Sequence, residues 1–343
     1  MRKDIAGAGS VAETETRFKS GAVGNNSSAA PWLIGISTYL LWGFFPLYFV
    51  FLKDIGSLEV IVHRSFWSFL TCVIVLAAMR NLKSVIPLIR NWAILIRLAL
   101  AGVLIIINWT VYVYSVQTGH TTDAALGYFI NPLVTVFLGM LLLRERLTVL
   151  QKAALGCGIA AVSYLLFAMG TLPWISFVLA FSFGFYALVK KKISRQVPPL
   201  AGMVVENAAI LPFLLGYLGY LLVRKQSDVQ KIAITGIENN DGTQIIRIML
   251  LLIGAGILTA IPLLLFAKAS QNLPLGALGF IQYITPILQL LIGVVILGEV
   301  MPAERWIGTG IVWCALIFLI ADGIIAMRKF AKFKAGLKCE SHD

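Results

Sequence analysis

The chain has 343 residues, 59% of them hydrophobic and only 13% charged, with a mean hydropathy of +0.88. A soluble domain carries about 25% charged residues, so this composition excludes a soluble enzyme and a soluble nucleic-acid-binding module. The net charge of +12 then reads as the Lys and Arg bias of cytoplasmic loops in a membrane protein, and a polyanion partner is not needed to explain it.

Residues 1–31 are rich in Ser, Gly, Ala and charge and hold no apolar run of signal-peptide length, so they read as a disordered tail. Beyond them come continuous apolar runs long enough to span a bilayer as helices, with none of the alternation of a β-barrel strand. The first five are Trp32–Phe51, Leu58–Ala78, Trp92–Ser115, Thr122–Leu143 and Thr148–Met169. The second five are Leu172–Val189, Leu200–Val223, Ile246–Ala267, Leu275–Leu297 and Ala303–Met327. The only long break, Arg224–Ile245, contains the turn sequence Asn239-Asn240-Asp241-Gly242. The predicted class is an all-α membrane protein of about ten transmembrane helices. An even number of crossings puts both termini on one side. Placing that side in the cytoplasm puts roughly 21 of the 28 Lys and Arg inside.

Sliding the sequence on itself by 154 residues aligns Gly102 with Gly256, Gln117 with Gln271, Pro132 with Pro286, Gly139 with Gly293, Glu145 with Glu299 and Gly156 with Gly310. A shift of 141 sets Trp42-Gly43-Phe44 on Phe183-Gly184-Phe185. Each repeat contains five crossings, an odd number, so the second must run inverted. The expected layout is a cytoplasmic tail over 1–31, a first five-helix repeat over 32–170, an inverted second repeat over 171–328 and a basic cytoplasmic tail over 329–343. Inverted repeats are typical of secondary transporters, which bind substrate near the midplane between the halves.

Helix breakers at matching positions point to such a site: Pro132 with Pro286, and Asn108 with Pro262. Trp109, Tyr112, Tyr128, Asn131, Gln282 and Tyr283 gather near these breaks. Together with Asn108 they suggest an amphipathic organic solute more than a small ion. Interhelical packing and interfacial aromatic belts are the competing reading for the same residues. Three ionisable groups lie within spans: His63, Arg64 and Glu206. They could bind a charged solute, pair structurally or, for Glu206 and His63, carry a proton. Glu145 and Glu299 end spans just before the next helix and read as caps for its N-terminus.

Nothing else carries chemistry. Cys72, Cys157, Cys314 and Cys339 show neither CxxC nor metal-ligand spacing, no GxxxxGK[ST] is present, and His63, His120 and His342 are far apart. No metal, cofactor or catalytic residue is expected.

The sequence resembles the RarD (chloramphenicol-sensitive protein) branch of the EamA-like drug/metabolite transporter superfamily. The resemblance lies in Tyr39-Leu40-Leu41-Trp42-Gly43, His63-Arg64-Ser65-Phe66-Trp67-Ser68, Asn108-Trp109 and Leu126-Gly127-Tyr128-Phe129-Ile130-Asn131-Pro132-Leu133-Val134. In the second half it lies in Ala180-Phe181-Ser182-Phe183-Gly184-Phe185-Tyr186, Leu278-Gly279-Phe280-Ile281-Gln282-Tyr283-Ile284 and Gly298-Glu299. It implies a ten-helix inverted-repeat permease of the bacterial inner membrane that exports small organic molecules, with chloramphenicol among the candidates. Proton coupling and a homodimer are left open. An intramembrane enzyme acting on a lipid or lipid-linked substrate is the alternative, and it lacks a convincing nucleophile or acid–base pair.

Overall fold

The computed structural model describes residues 30–143, 147–170, 172–193, 196–238, 242–272 and 281–340. Glu145, the Asn239–Asp241 turn, the tail up to residue 29 and the opening of the ninth predicted span lie outside them. Every regular element among the described residues is helical. The apolar helices are α1 (Ala30–Leu52), α2 (Ser57–Ala78), α3 (Trp92–Gln117), α4 (Thr121–Leu143), α5 (Val149–Met169), α6 (Trp174–Ile193), α7 (Pro199–Val223), α8 (Gly242–Asn272), α9 (Ile284–Leu291) and α10 (Ala303–Glu340). Eight of them contain segments long and apolar enough to cross a bilayer; α6 and α9 are the shorter two. Phe167, Phe213, Val223 and Val295 stand exposed on the outside of the bundle. Such a surface is unfavourable in water and suited to acyl chains. This is a multi-pass membrane protein.

Two predicted elements differ. Among the described residues the ninth is an α-helix from Ile284 that runs on as a π-turn over Ile292–Ile296, where Leu297 N–H reaches back five residues to Ile292 O. The long break is also partly ordered. It holds a loop helix, Asp228–Glu238, whose Val229 and Ile232 pack onto the core. Those two residues are one helical turn apart, a pattern too brief to stand out beside the spans.

The helices interleave. α1 packs on α8 and α9, while α6 packs on α3 and α4; α2 lies against α8, and α7 against α3. α2 also crosses α7, α4 crosses α9, and α5 crosses α10. Exchanging α1 with α6, α2 with α7, and so on to α5 with α10 maps this set of contacts onto itself. The symmetry extends to single residues. A Cβ on Gly43 would come within 2.6 Å of Leu288 Cδ1 on α9, and one on Gly184 within 2.9 Å of Val134 Cγ1 on α4. Gly184 is Gly43 shifted by 141, and Leu288 is Val134 shifted by 154. The two halves are thus related by a pseudo-two-fold, and the odd number of crossings in each makes them inverted.

Polar contacts tie the ends together. At the end bearing the α1–α2 turn, the Glu59 carboxylate accepts from Ser227 Oγ (2.5 Å) and Asp228 N–H (2.9 Å), while the Asp228 carboxylate accepts from Gly56 N–H (3.0 Å). Each acid caps the other's helix. At the same end Glu299 accepts from Thr121 N–H (2.6 Å) and Thr122 N–H (2.8 Å). This corrects the expectation for Glu299: it caps α4 of the other half, and not the helix that follows it. Arg305 pairs with Asp123 nearby at 2.9 Å. At the opposite end Thr148 and Gln151 form a capping box on α5, and Asp322 of α10 accepts from both side chains. Such a cap contributes about 1 kcal/mol.

Candidate functional site

The site begins with a backbone defect. Pro46 has no N–H to offer the carbonyl of Trp42 one turn back, and α1 is interrupted between Gly43 and Phe45. Gln289 of α9 fills the gap, donating to Trp42 O at 3.3 Å. The same Nε2 donates to the Tyr112 hydroxyl at 3.2 Å, which joins α1, α3 and α9. Tyr112 lies 5.8 Å from Tyr128 between ring centroids and edge-on to Phe49 at 6.1 Å.

Arg64 of α2 projects into this assembly and is 2% exposed. Its guanidinium carbon sits 4.1 Å from the Trp109 ring centroid, 5.2 Å from Phe49 and 5.7 Å from Phe45. Nε donates to Thr259 Oγ1 of α8 at 2.6 Å. Nη1 is buried without a hydrogen-bond partner, as is Gln289 Oε1. No carboxylate among the described residues pairs with Arg64, since the ion pairs there are Lys190–Glu206, Lys231–Asp228 and Arg305–Asp123. Burying an ion costs several kcal/mol, and one cation–π contact returns about 0.5–2 kcal/mol. The rings and Thr259 therefore offset much of the cost and leave the fully buried Nη1 unsatisfied.

The remaining sequence candidates fall into three groups. Trp109, Tyr112, Tyr128 and Asn108 join Arg64. Asn108, however, is committed to the scaffold: Nδ2 donates to Leu179 O (2.9 Å) and Ser182 Oγ (3.0 Å) of α6, and Oδ1 accepts from the Tyr128 hydroxyl (3.2 Å). Asn131 is buried, and both its carbonyl and its amide oxygen accept from Thr135 Oγ1. Tyr283 packs into a different cluster, with residues of α4, α5 and α10. The Gln282 carbonyl accepts from Thr285 N–H.

The paired breakers are not equivalent. Pro132 and Pro262 lie inside continuous helices, where each frees a carbonyl one turn back. Pro286 falls in the first turn of α9, where a missing N–H costs little.

Glu206 is buried on α7 and held by Lys190 of α6, with Tyr186 hydrogen-bonded to the same carboxylate. His63 interacts with Glu59 one turn away on α2, and its Nε2 is buried without a partner. Sequence reading missed Gln289 and Thr259. Gln289 lies seven residues beyond Gln282, two turns along, and an amide at that depth was the available signal. No group of three or more His, Cys, Asp and Glu among the described residues is placed to hold a metal.

Known proteins share this architecture. The profile of the EamA-like transporter family matches residues 30–167 and 172–321, once in each half. Protein RarD of Streptomyces exfoliatus is 39% identical over 297 residues, 87% of this chain and 90% of its own. An uncharacterized transporter of Bacillus subtilis, YojE, is 40% identical over 284 residues, 82% of this chain and 90% of its own. The chloramphenicol-sensitive protein RarD of Pseudomonas aeruginosa is 27% identical over 304 residues, 88% of this chain and 96% of its own. A solved crystal structure superposes with a TM-score of 0.51 at 18% identity, covering 85% of this chain and 97% of that one.

Proposed function

The chain belongs to the EamA-like transporter family, and from that premise we propose that it carries small organic molecules across the bacterial inner membrane by alternating access, with the Arg64 cluster as its substrate site. One observation carries this reading. Arg64, Trp109, Tyr112 and Tyr128 come from the first half, Thr259 and Gln289 from the second, and they meet inside the bundle where helices of the two halves pack together. Secondary transporters bind their solutes at that kind of junction. The aromatic lining suits a solute with a flat or apolar body, and chloramphenicol, which the name of one relative mentions, belongs in the first panel. The charge bias supports an orientation with both termini in the cytoplasm.

We assign energy coupling to the Lys190–Glu206–Tyr186 group. A proton taken up by Glu206 discharges the pair with Lys190, and the carboxylate lies within a span, where ionisable groups are rarely retained without a use. Uptake of a labelled solute panel into inverted vesicles under an imposed pH gradient tests the carrier reading. Accumulation above the level of vesicles lacking the protein is expected. No accumulation of any solute would overturn it.

A further inference from the structure

We infer that the transported solute is an organic anion, held by its carboxylate at Arg64. The inference rests on the carrier reading and names the chemistry of the same site. A guanidinium stays protonated at every working pH and presents its donors in a planar fork. In Arg64 one donor, Nε, is taken by Thr259 and the nearby rings stand around the charge, yet Nη1 has no partner although the residue is 2% exposed. A structural arginine buried within a membrane-spanning helix would be expected to pair with a carboxylate of its own chain. No such partner exists among the described residues.

The missing acceptor is therefore supplied from outside the chain. A carboxylate matches the guanidinium fork in shape and neutralises its charge as it binds. Trp109, Tyr112 and Tyr128 supply a surface for an aromatic or apolar body attached to it. Gln289 Oε1, also buried and unpartnered, is free to accept from a hydroxyl or N–H group on the same solute. A neutral solute could stack on the rings, but it would leave the charge uncompensated.

The test compares carboxylates with their primary amides, which keep size and shape and remove the charge. Binding of benzoate and benzamide, and of indole-3-acetate and indole-3-acetamide, to the purified full-length chain is measured by equilibrium dialysis. Each carboxylate should bind at least about tenfold more tightly than its amide, which a single charge-assisted hydrogen bond can supply. Arg64→Gln should bring each pair within about twofold, and Arg64→Lys, which keeps the charge and loses the fork, should fall between. Equal binding of both members by the unaltered chain would overturn the inference without reference to any variant. So would binding of neither carboxylate, or an undiminished preference in an Arg64→Gln protein that elutes and melts as the parent does. Uptake of the amides with no preference in vesicles would reject the anion and keep the carrier. Failure of the whole vesicle panel would reject the carrier itself.

Discussion

Glu206 is the buried carboxylate whose neighbours most limit what it can do. Lys190 is partly exposed and reaches it from the end of α6, and Tyr186 shares the same carboxylate. Glutamine at 206 can still accept from both partners, so Glu206→Gln should fold. It should abolish accumulation driven by a pH gradient and leave solute counterflow intact, because exchange needs no net proton. Unchanged gradient dependence would show that the pair is structural. Tyr128 and Tyr283 separate in the same spirit. Tyr128→Ala removes a ring beside Arg64 and the bond to Asn108, and it should lower the rate of uptake about tenfold or more, a loss of about 1.4 kcal/mol. Tyr283→Ala lies in another cluster, so its rate in the same vesicle assay should stay within about threefold of the parent's. At this scale the sequence marks Arg64, Trp109, Tyr112 and Tyr128 because polar and aromatic groups are conspicuous within apolar spans. Gln289 and Thr259 were hidden, since their importance comes from the carbonyl that Pro46 frees on a distant helix and from an arginine 195 residues away.

Among the elements, the glycine crossings and the loop helix differ in how openly the sequence shows them. Gly43 and Gly184 aligned in the repeat, and the structure gives the reason: each lets a helix of one half lie directly on a helix of the other. Gly43→Val and Gly184→Val should each destabilise the protein by about 1–3 kcal/mol through overpacking, read as a lower melting temperature in detergent. The loop helix did not stand out beside the spans, because it is short and amphipathic, with Val229, Ile232 and Ala233 at helical spacing among polar residues, and its cap is a glutamate on α2. Burial alone would raise the Asp228 pKa, but the bonds from Lys231 and Gly56 N–H outweigh it, and the carboxyl titrates below its ordinary value. A folded-state pKa below the unfolded one stabilises above the unfolded value, and the contribution fades as pH falls through the folded value. Hydrogen-exchange protection over 228–238 should therefore be level from about pH 7 to 5 and decline only below about pH 4. Asp228→Asn should reduce that protection already at neutral pH.

For the molecule as a whole, an odd number of crossings in each half fixes which turns share a side of the membrane. The turns after α1, α3, α7 and α9 touch one another in pairs, through Glu59 with Asp228 and Glu299 with Thr121. Gln117 Nε2 at the end of α3 donates to Leu52 O and Ile55 O in the turn after α1 and joins the two pairs, so all four turns lie at one end of the bundle. A Lys231→Cys variant in a chain with its other cysteines replaced should react with an impermeant maleimide from outside the cell. Reaction only from the cytoplasm would reverse the orientation of all four turns together.

Interleaving also sets a timetable for biosynthesis. α1 leaves the ribosome before α2 to α10, yet the Gln289 bond to its Trp42 carbonyl spans 247 residues of sequence. At roughly 5–20 residues per second, that partner arrives on the order of ten to fifty seconds later. Until α8 emerges α1 stands in lipid, and until α9 follows its interrupted backbone is unmet, while α6 can dock on α3 and α4 as soon as it emerges. Nascent chains halted before residue 242, which lack both α8 and α9, should thus carry an α1 open to crosslinking with lipid or insertion machinery. Chains released after residue 296 should have lost that reactivity.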